Sequence, residues 1–175
     1  MKYWLMCSMI FLLAACSNPK KEVKKTFNED KFSEPLVKAN QNAVRLEDED
    51  IDLYIKRQQM NVVKTETGLR YQITKKNNGR KIKAEDIVTL DFKTFSINGE
   101  LLYSSDESGK KVMEVEKNNE IQALDEVLKQ MSNGEEAHLV IPSHLAFGIA
   151  GDGDKIRQRI PIVMKIKVLS VKNKK

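Results

Sequence analysis

The stretch from Leu139 to Gly151, Leu-Val-Ile-Pro-Ser-His-Leu-Ala-Phe-Gly-Ile-Ala-Gly, is built to present an aromatic ring rather than a reactive group. An apolar strand ends at Pro142, which has no N–H for a ladder and a fixed φ. Ser143 is placed to cap a single helical turn, and that turn aims Phe147 at its neighbour. Gly148, Gly151 and Gly153 follow where the backbone must turn freely. The chemistry available to such a corner is apolar recognition.

Groups for other chemistries are few. His138 and His144 are the only histidines and no cysteine lies beside them, so a metal cluster has no ligand set and no cofactor is expected. His138 alternates with Ala137 and Leu139 and is expected to face solvent. The glycines lack GxGxxG spacing and a βαβ context, and no GxSxG elbow is present. Asp and Glu are scattered over charged faces without a pair that could serve as acid and base.

The elements that must position Phe147 follow from periodicity. Leu69, Tyr71 and Ile73 alternate with polar residues, as do Val88, Leu90 and Phe92, which predicts two half-buried strands. Asn77-Asn78-Gly79 is a turn. Asn98-Gly99 is the dipeptide of a type I′ hairpin turn leading to Leu101–Ser105, and Val112–Val115 is another short strand. Glu120–Met131 is the one strongly periodic interior helix, with Ile121, Leu124, Leu128 and Met131 on one face. Asn119 and Gln122 would form its capping box, and Asn133-Gly134 would end it. A last strand carries Ile162, Met164, Ile166 and Val168 inward, with Lys165 and Lys167 outward. The expected fold is α+β: about five antiparallel strands wrapped across one central amphipathic helix.

The ordered pattern Met131-Ser132-Asn133-Gly134-Glu135-Glu136-Ala137, then Pro-Ser-x-Leu-Ala-Phe-Gly, then alternating apolar residues to Val171 resembles the FKBP-type peptidyl-prolyl isomerases. The resemblance spans roughly Thr67 to Lys172. It implies an isomerase domain at 67–173 whose proline pocket is an apolar bowl. Carried over by position, Phe92 stands on the first wall where a tyrosine is usual. Leu102 and Tyr103 replace a Phe-Asp pair, and the Ile121 backbone N–H would bind a substrate carbonyl. Leu124 stands for the floor tryptophan, Phe147 for a tyrosine, Ile156 for a loop isoleucine and Met164 for a wall phenylalanine. Phe147 keeps a ring but loses a hydroxyl donor, and Tyr103 removes a carboxylate.

The remaining chain reads as delivery. After Met1-Lys2, the apolar run from Tyr3 to Leu13 is too short to span a bilayer and reads as a signal-peptide core, giving a signal peptide over 1–15. Leu13-Ala14-Ala15-Cys16 matches the lipobox, in which the cysteine thiol takes a diacylglycerol, so Cys16 is the expected membrane anchor. Cys7 lies in the removed segment, which leaves the mature chain no disulfide or catalytic thiol. Residues 16–45 are polar and read as a tether of about 30 flexible residues, holding the domain on the order of 30 Å from the lipid. Over 46–66 a short helical lead-in is expected, its acidic run Glu47–Asp52 at the helix start and Lys56-Arg57 at the end. Ile51, Tyr54 and Ile55 give it a narrow apolar stripe.

The chain has 175 residues, 41% apolar, with a formal net charge of +5. That is enough for one domain with extensions. Its basic residues lack interleaved aromatics and the chain carries an export signal, which argues against nucleic acid. The expected function is prolyl isomerisation on proline-containing segments of exported proteins. Ser17 after Cys16 fits outer-membrane sorting with the domain in the periplasm. Lipid-tethered isomerases of gliding bacteria, associated with motility and surface secretion, are similar in layout. A non-catalytic binding module within an envelope complex, or a structural lipoprotein with a self-filled pocket, are the alternatives that the residues leave open.

Overall fold

The computed structural model describes residues 29–117 and 121–174, with side chains from Glu34 onward. The expected signal peptide, Cys16 and the beginning of the expected tether lie outside the described residues, as does Asn119.

Seven strands form one antiparallel sheet: β1 (Val63–Lys64), β2 (Arg70–Lys75), β3 (Ile87–Ser96), β4 (Leu101–Ser104), β5 (Lys111–Glu114), β6 (Glu136–Ile141) and β7 (Ile162–Lys172). Their order is β1-β2-β6-β7-β3-β4, with β5 sharing the β3 edge beside β4. The excess over the expected five comes from elements such as β1, whose two residues are too short to show alternation. The longest pairing is β3 with β7, and it places Thr94 opposite Met164.

After the single-turn α2 (Ser105–Ser108), one face of the sheet wraps a short helix, α3 (Gln122–Leu128), whose Ala123, Leu124, Val127 and Leu128 are buried. Ile162, Met164, Ile166 and Val168 point into that core and Lys165 and Lys167 point away, as the alternation predicts. The helix is shorter than 120–131. Its N-cap position is Ile121, without a side-chain cap. Asn133-Gly134 lies in the later turn before β6, where the Gly134 N–H donates to Val168 O.

The other face is covered by α1 (Glu29–Arg57). Ile51 is fully buried there against the cross-strand pair Val140 and Val163, with Tyr54, Ile55, Phe95 and Ile97 around them. Fully burying such a side chain contributes about 1.5–3 kcal/mol, so the apolar stripe packs as expected. Two expectations fail at this helix. The residues 29–45 assigned to a polar tether are helical, and the run Glu47–Asp52 therefore lies well inside a helix instead of at its start. Pro35, tolerated only near a helix beginning, and the polar residues Asn40, Gln41 and Asn42 break the visible period there.

The acidic run has another use. Asp48 and Asp52, one turn apart, both accept from Arg70 Nη2, at 2.6 and 2.8 Å. Arg70 is one of the polar residues that alternate with Leu69 and Tyr71, but α1 covers it and leaves it only 1% exposed. Its Nη1 donates to Gly68 O at 2.7 Å.

The β3–β4 hairpin is also not a type I′ turn. Gly99 alone has a positive φ, of 91°, while Ile97 and Asn98 do not. The Gly99 N–H closes on Ser96 O at 2.9 Å. Here Asn98-Gly99 straddles the end of the turn, because β-branched Ile97 resists the left-handed conformation that type I′ needs at both central positions.

Candidate functional site

A cavity of about 480 Å³ opens between the concave sheet face, the start of α3 and the loop after Phe147. Its apolar lining is Phe92, Ile121, Phe147, Ile156 and Met164, with Tyr103 at the side. Six of the eight residues expected at a pocket therefore meet there. Leu102 and Leu124 do not line it. Both are buried in the main core, Leu124 completely, because α3 turns that side chain toward the sheet.

Phe147 is carried by a tight corner. Pro142 precedes a 3-10 turn, Ser143–Leu145, with Pro142 itself as the N-cap. Ser143 does not cap that turn; its hydroxyl donates to Glu47 Oε2 of α1 at 2.7 Å, and its N–H donates to Oε1 of the same carboxylate at 2.5 Å. The Ser143 carbonyl then accepts from the Ala146 and Gly148 N–H groups, at 3.0 and 2.8 Å, on either side of Phe147. A carboxylate from the covering helix thus performs the capping that the sequence assigned to serine.

The loop beyond Phe147 is organised by Asp152, which no motif in the sequence marks. Its Oδ1 accepts from the Asp154 and Ile156 N–H groups at 2.9 and 2.8 Å. Its Oδ2 accepts from Tyr103 Oη at 2.5 Å. Gly151 makes the loop possible: its φ is 72°, and a Cβ there would lie 2.4 Å from Ile156 O. Lys155 folds back so that its ammonium sits 5.0 Å from the Tyr103 ring centre and donates to Leu102 O at 2.8 Å.

These contacts set the local electrostatics. Burial alone would raise the Asp152 carboxyl, but the bonds from Tyr103 and two backbone N–H groups outweigh it, and the group is held below its ordinary 3.8. Burial, then the bond to Asp152, pushes the Tyr103 phenol up to about 12. Tyr103 is hence a fixed neutral donor, and its partner a fixed anion. Thr94, Ser108, Lys111 and Asp152 also border the cavity, so its rim is more polar than the expected bowl.

Neither histidine takes part. His138 lies on the outer sheet face, half-buried instead of solvated, and burial followed by nearby Lys165 lowers its pKa. His144 bonds Thr67 O at 2.9 Å. Among the described residues, no group of three His, Cys, Asp or Glu side chains is placed to hold a metal.

The family model for FKBP-type peptidyl-prolyl cis-trans isomerases matches residues 78–169, which contain every lining residue named above. The chain belongs to this family. A probable FKBP-type peptidyl-prolyl cis-trans isomerase FkpA of Neisseria meningitidis is 33% identical over 107 residues, covering 61% of this chain and 39% of that protein. The chain therefore spans about two fifths of that relative's length. The crystal structure of FkpA from Escherichia coli superposes with a TM-score of 0.65 at 27% identity, covering 81% of this chain and 66% of the other. A peptidyl-prolyl cis-trans isomerase from Pseudomonas syringae pv. tomato shares the fold with a TM-score of 0.65 at 22% identity, over 76% and 96% of the chains.

Proposed function

We propose that this chain is a peptidyl-prolyl cis-trans isomerase acting on proline-containing segments of exported proteins, held at the cell envelope by lipid on Cys16. The observation that carries the catalytic part is the meeting of Phe92, Ile121, Phe147, Ile156 and Met164 around one 480 Å³ cavity in an FKBP-type domain. Rotation about a planar amide faces a barrier of about 18–20 kcal/mol, because resonance is lost at the twisted geometry. The twisted amide is less dipolar than the planar one. An apolar surround therefore disfavours the ground state relative to the transition state, and no nucleophile or proton relay is needed. Phe147 and Phe92 supply ring surface for the prolyl ring, and Met164 supplies a soft wall.

The test is a protease-coupled assay on an Xaa-Pro tetrapeptide at equal folded fraction. Wild-type turnover should be measurable and Phe147→Ala should reduce it by at least about tenfold. Phe147→Tyr should preserve or raise it, since a hydroxyl bond to a substrate carbonyl is worth about 0.5–1.5 kcal/mol. Turnover that ignores Phe147→Ala places the site elsewhere.

The Tyr103 hydroxyl is committed to Asp152 and Phe147 has none, which favours a second reading as a non-catalytic module that holds a proline-containing loop of an envelope partner. Peptide binding without turnover in both wild type and Phe147→Tyr decides for it. The envelope location rests on Leu13-Ala14-Ala15-Cys16, with the outer membrane and a periplasmic domain as the finer assignment. An association with motility or secretion machinery rests on layout alone.

A further inference from the structure

We infer that α1 is part of the machinery that shapes the pocket, with Glu47 as a positioning residue that holds Phe147 in place through the Ser143 turn. The kinetic consequence rests on the isomerase reading; the geometry does not. The family match begins at residue 78, so α1 lies outside it.

The loop bearing Phe147 stands on α1 at both ends. Before the ring, the N–H and hydroxyl of Ser143 both go to the Glu47 carboxylate, and the Ser143 carbonyl holds the amides of Ala146 and Gly148. After the ring, Gly148 O accepts from the Arg159 N–H at 2.8 Å, and the Arg159 guanidinium donates to Asn40 Oδ1 of α1 at 2.7 Å. Phe147 projects into the cavity from between these supports.

The helix can serve as a fixed reference because it is itself pinned. Ile51 is fully buried over Val140 and Val163, and Arg70 grips Asp48 and Asp52. Ser143 is 7% exposed, so water cannot readily replace Glu47 if that carboxylate is removed. The turn must then relax toward other partners, and the ring moves with it. A displacement near 1 Å at a positioning group can cost on the order of a hundredfold in rate.

The experiment compares Glu47→Ala, Glu47→Gln and Glu49→Ala in the full-length chain at equal folded fraction, by tetrapeptide kinetics and by the NMR ring resonances of Phe147. Glu49 is exposed, pairs with Arg45 alone among the described residues, and serves as the control. Glu47→Ala should lower kcat by at least about tenfold, within the roughly hundredfold that a displacement of about 1 Å can cost, and shift the Phe147 resonances. Glu47→Gln should recover most of both, since its amide can still accept from the Ser143 N–H and donate to the hydroxyl. Glu49→Ala should match wild type. If Glu47→Ala does not fold, Ser143→Ala removes one of the two bonds and is judged by the same readouts. Wild-type kcat and wild-type Phe147 resonances in the alanine variant overturn the proposal. Absence of turnover in the wild type itself sinks the isomerase reading, and the ring resonances then decide this one alone.

Discussion

Tyr103 on β4 and Asp152 on the loop after Phe147 are joined by a 2.5 Å hydrogen bond across 49 residues of sequence. The bond closes one side of the cavity. A carboxylate thus reaches the residue at position 103 from a different element, the loop after Phe147.

Breaking that bond should loosen the loop. Asp152→Ala removes the bonds to Tyr103 and to the Asp154 and Ile156 amides and is expected to cost at least about 1.5–3 kcal/mol, the range for bonds to a charged group, read as a lower midpoint in urea with unchanged slope. Acid should show the same dependence. Asp48, Asp86, Asp91 and Asp152 all have folded pKa values below their ordinary one. Their contribution is complete above the unfolded value of about 3.9 and is lost as pH falls through the lowered folded values. The steepest acid loss should therefore lie below about pH 4, and Asp152→Ala should flatten it.

Neutral pH should separate stability from activity. The folded pKa of His138 is lowered, so the unfolded chain binds more protons and stability should decline gently as pH falls below about 6.5. Neither histidine borders the cavity. Turnover per folded molecule should stay flat over the same range, and a bell-shaped profile would point to an ionisable group in the reaction.

Arg70 and its two aspartates should not be equivalent. The guanidinium is 1% exposed, whereas the side chains of Asp48 and Asp52 are 42% and 60% exposed. Removing both acids strands a buried cation, with an expected cost of about 3–5 kcal/mol. Arg70→Met leaves two carboxylates that water can reach and fills the space with methylenes, so its cost should be clearly smaller. Equal losses in thermal unfolding would mean that Arg70 is not buried in solution.

Truncation should locate the boundary of the folded unit inside α1. Residues 34–46 are almost all exposed, while Glu47, Asp48, Ile51 and Asp52 hold the sheet. A chain starting near Arg45 should unfold within a few degrees of the full protein. One starting near Met60 loses the cover over Val140 and Val163 and should fall by well over ten degrees, on the order expected for several kcal/mol in a domain of this size.

These particulars show where sequence was sufficient. The alternation Ile162, Met164, Ile166 and Val168 survives because strand faces obey a period of two, and the Pro-Ser-x-Leu-Ala-Phe-Gly corner sits where its motif implies. The burial of Arg70 was not legible because periodicity reports which side of a strand is polar, not whether a helix covers that side. Asp152 was missed because nothing local ties a loop carboxylate to Tyr103; at most, the loss of a carboxylate at position 103 could have prompted a search for its replacement. Leu124 kept its burial but not its place in the lining, since a smaller side chain withdraws into the core. The first half of α1 was hidden by Pro35 and by polar residues on an exposed helix, which have no buried face to betray them.

That exposed half also changes how an anchor on Cys16 would hold the domain. At about 1.5 Å per residue, Glu34–Leu46 is a rod on the order of 20 Å long, where a random coil would have been only a leash. A leash sets how far a pocket can wander. A rod clamped through Arg70 and Ile51, and touching Arg159 through Asn40, also gives the pocket a heading. Whatever grips the far end of α1 can point the mouth of the cavity, and torque applied there reaches the domain through a lever instead of being lost in slack.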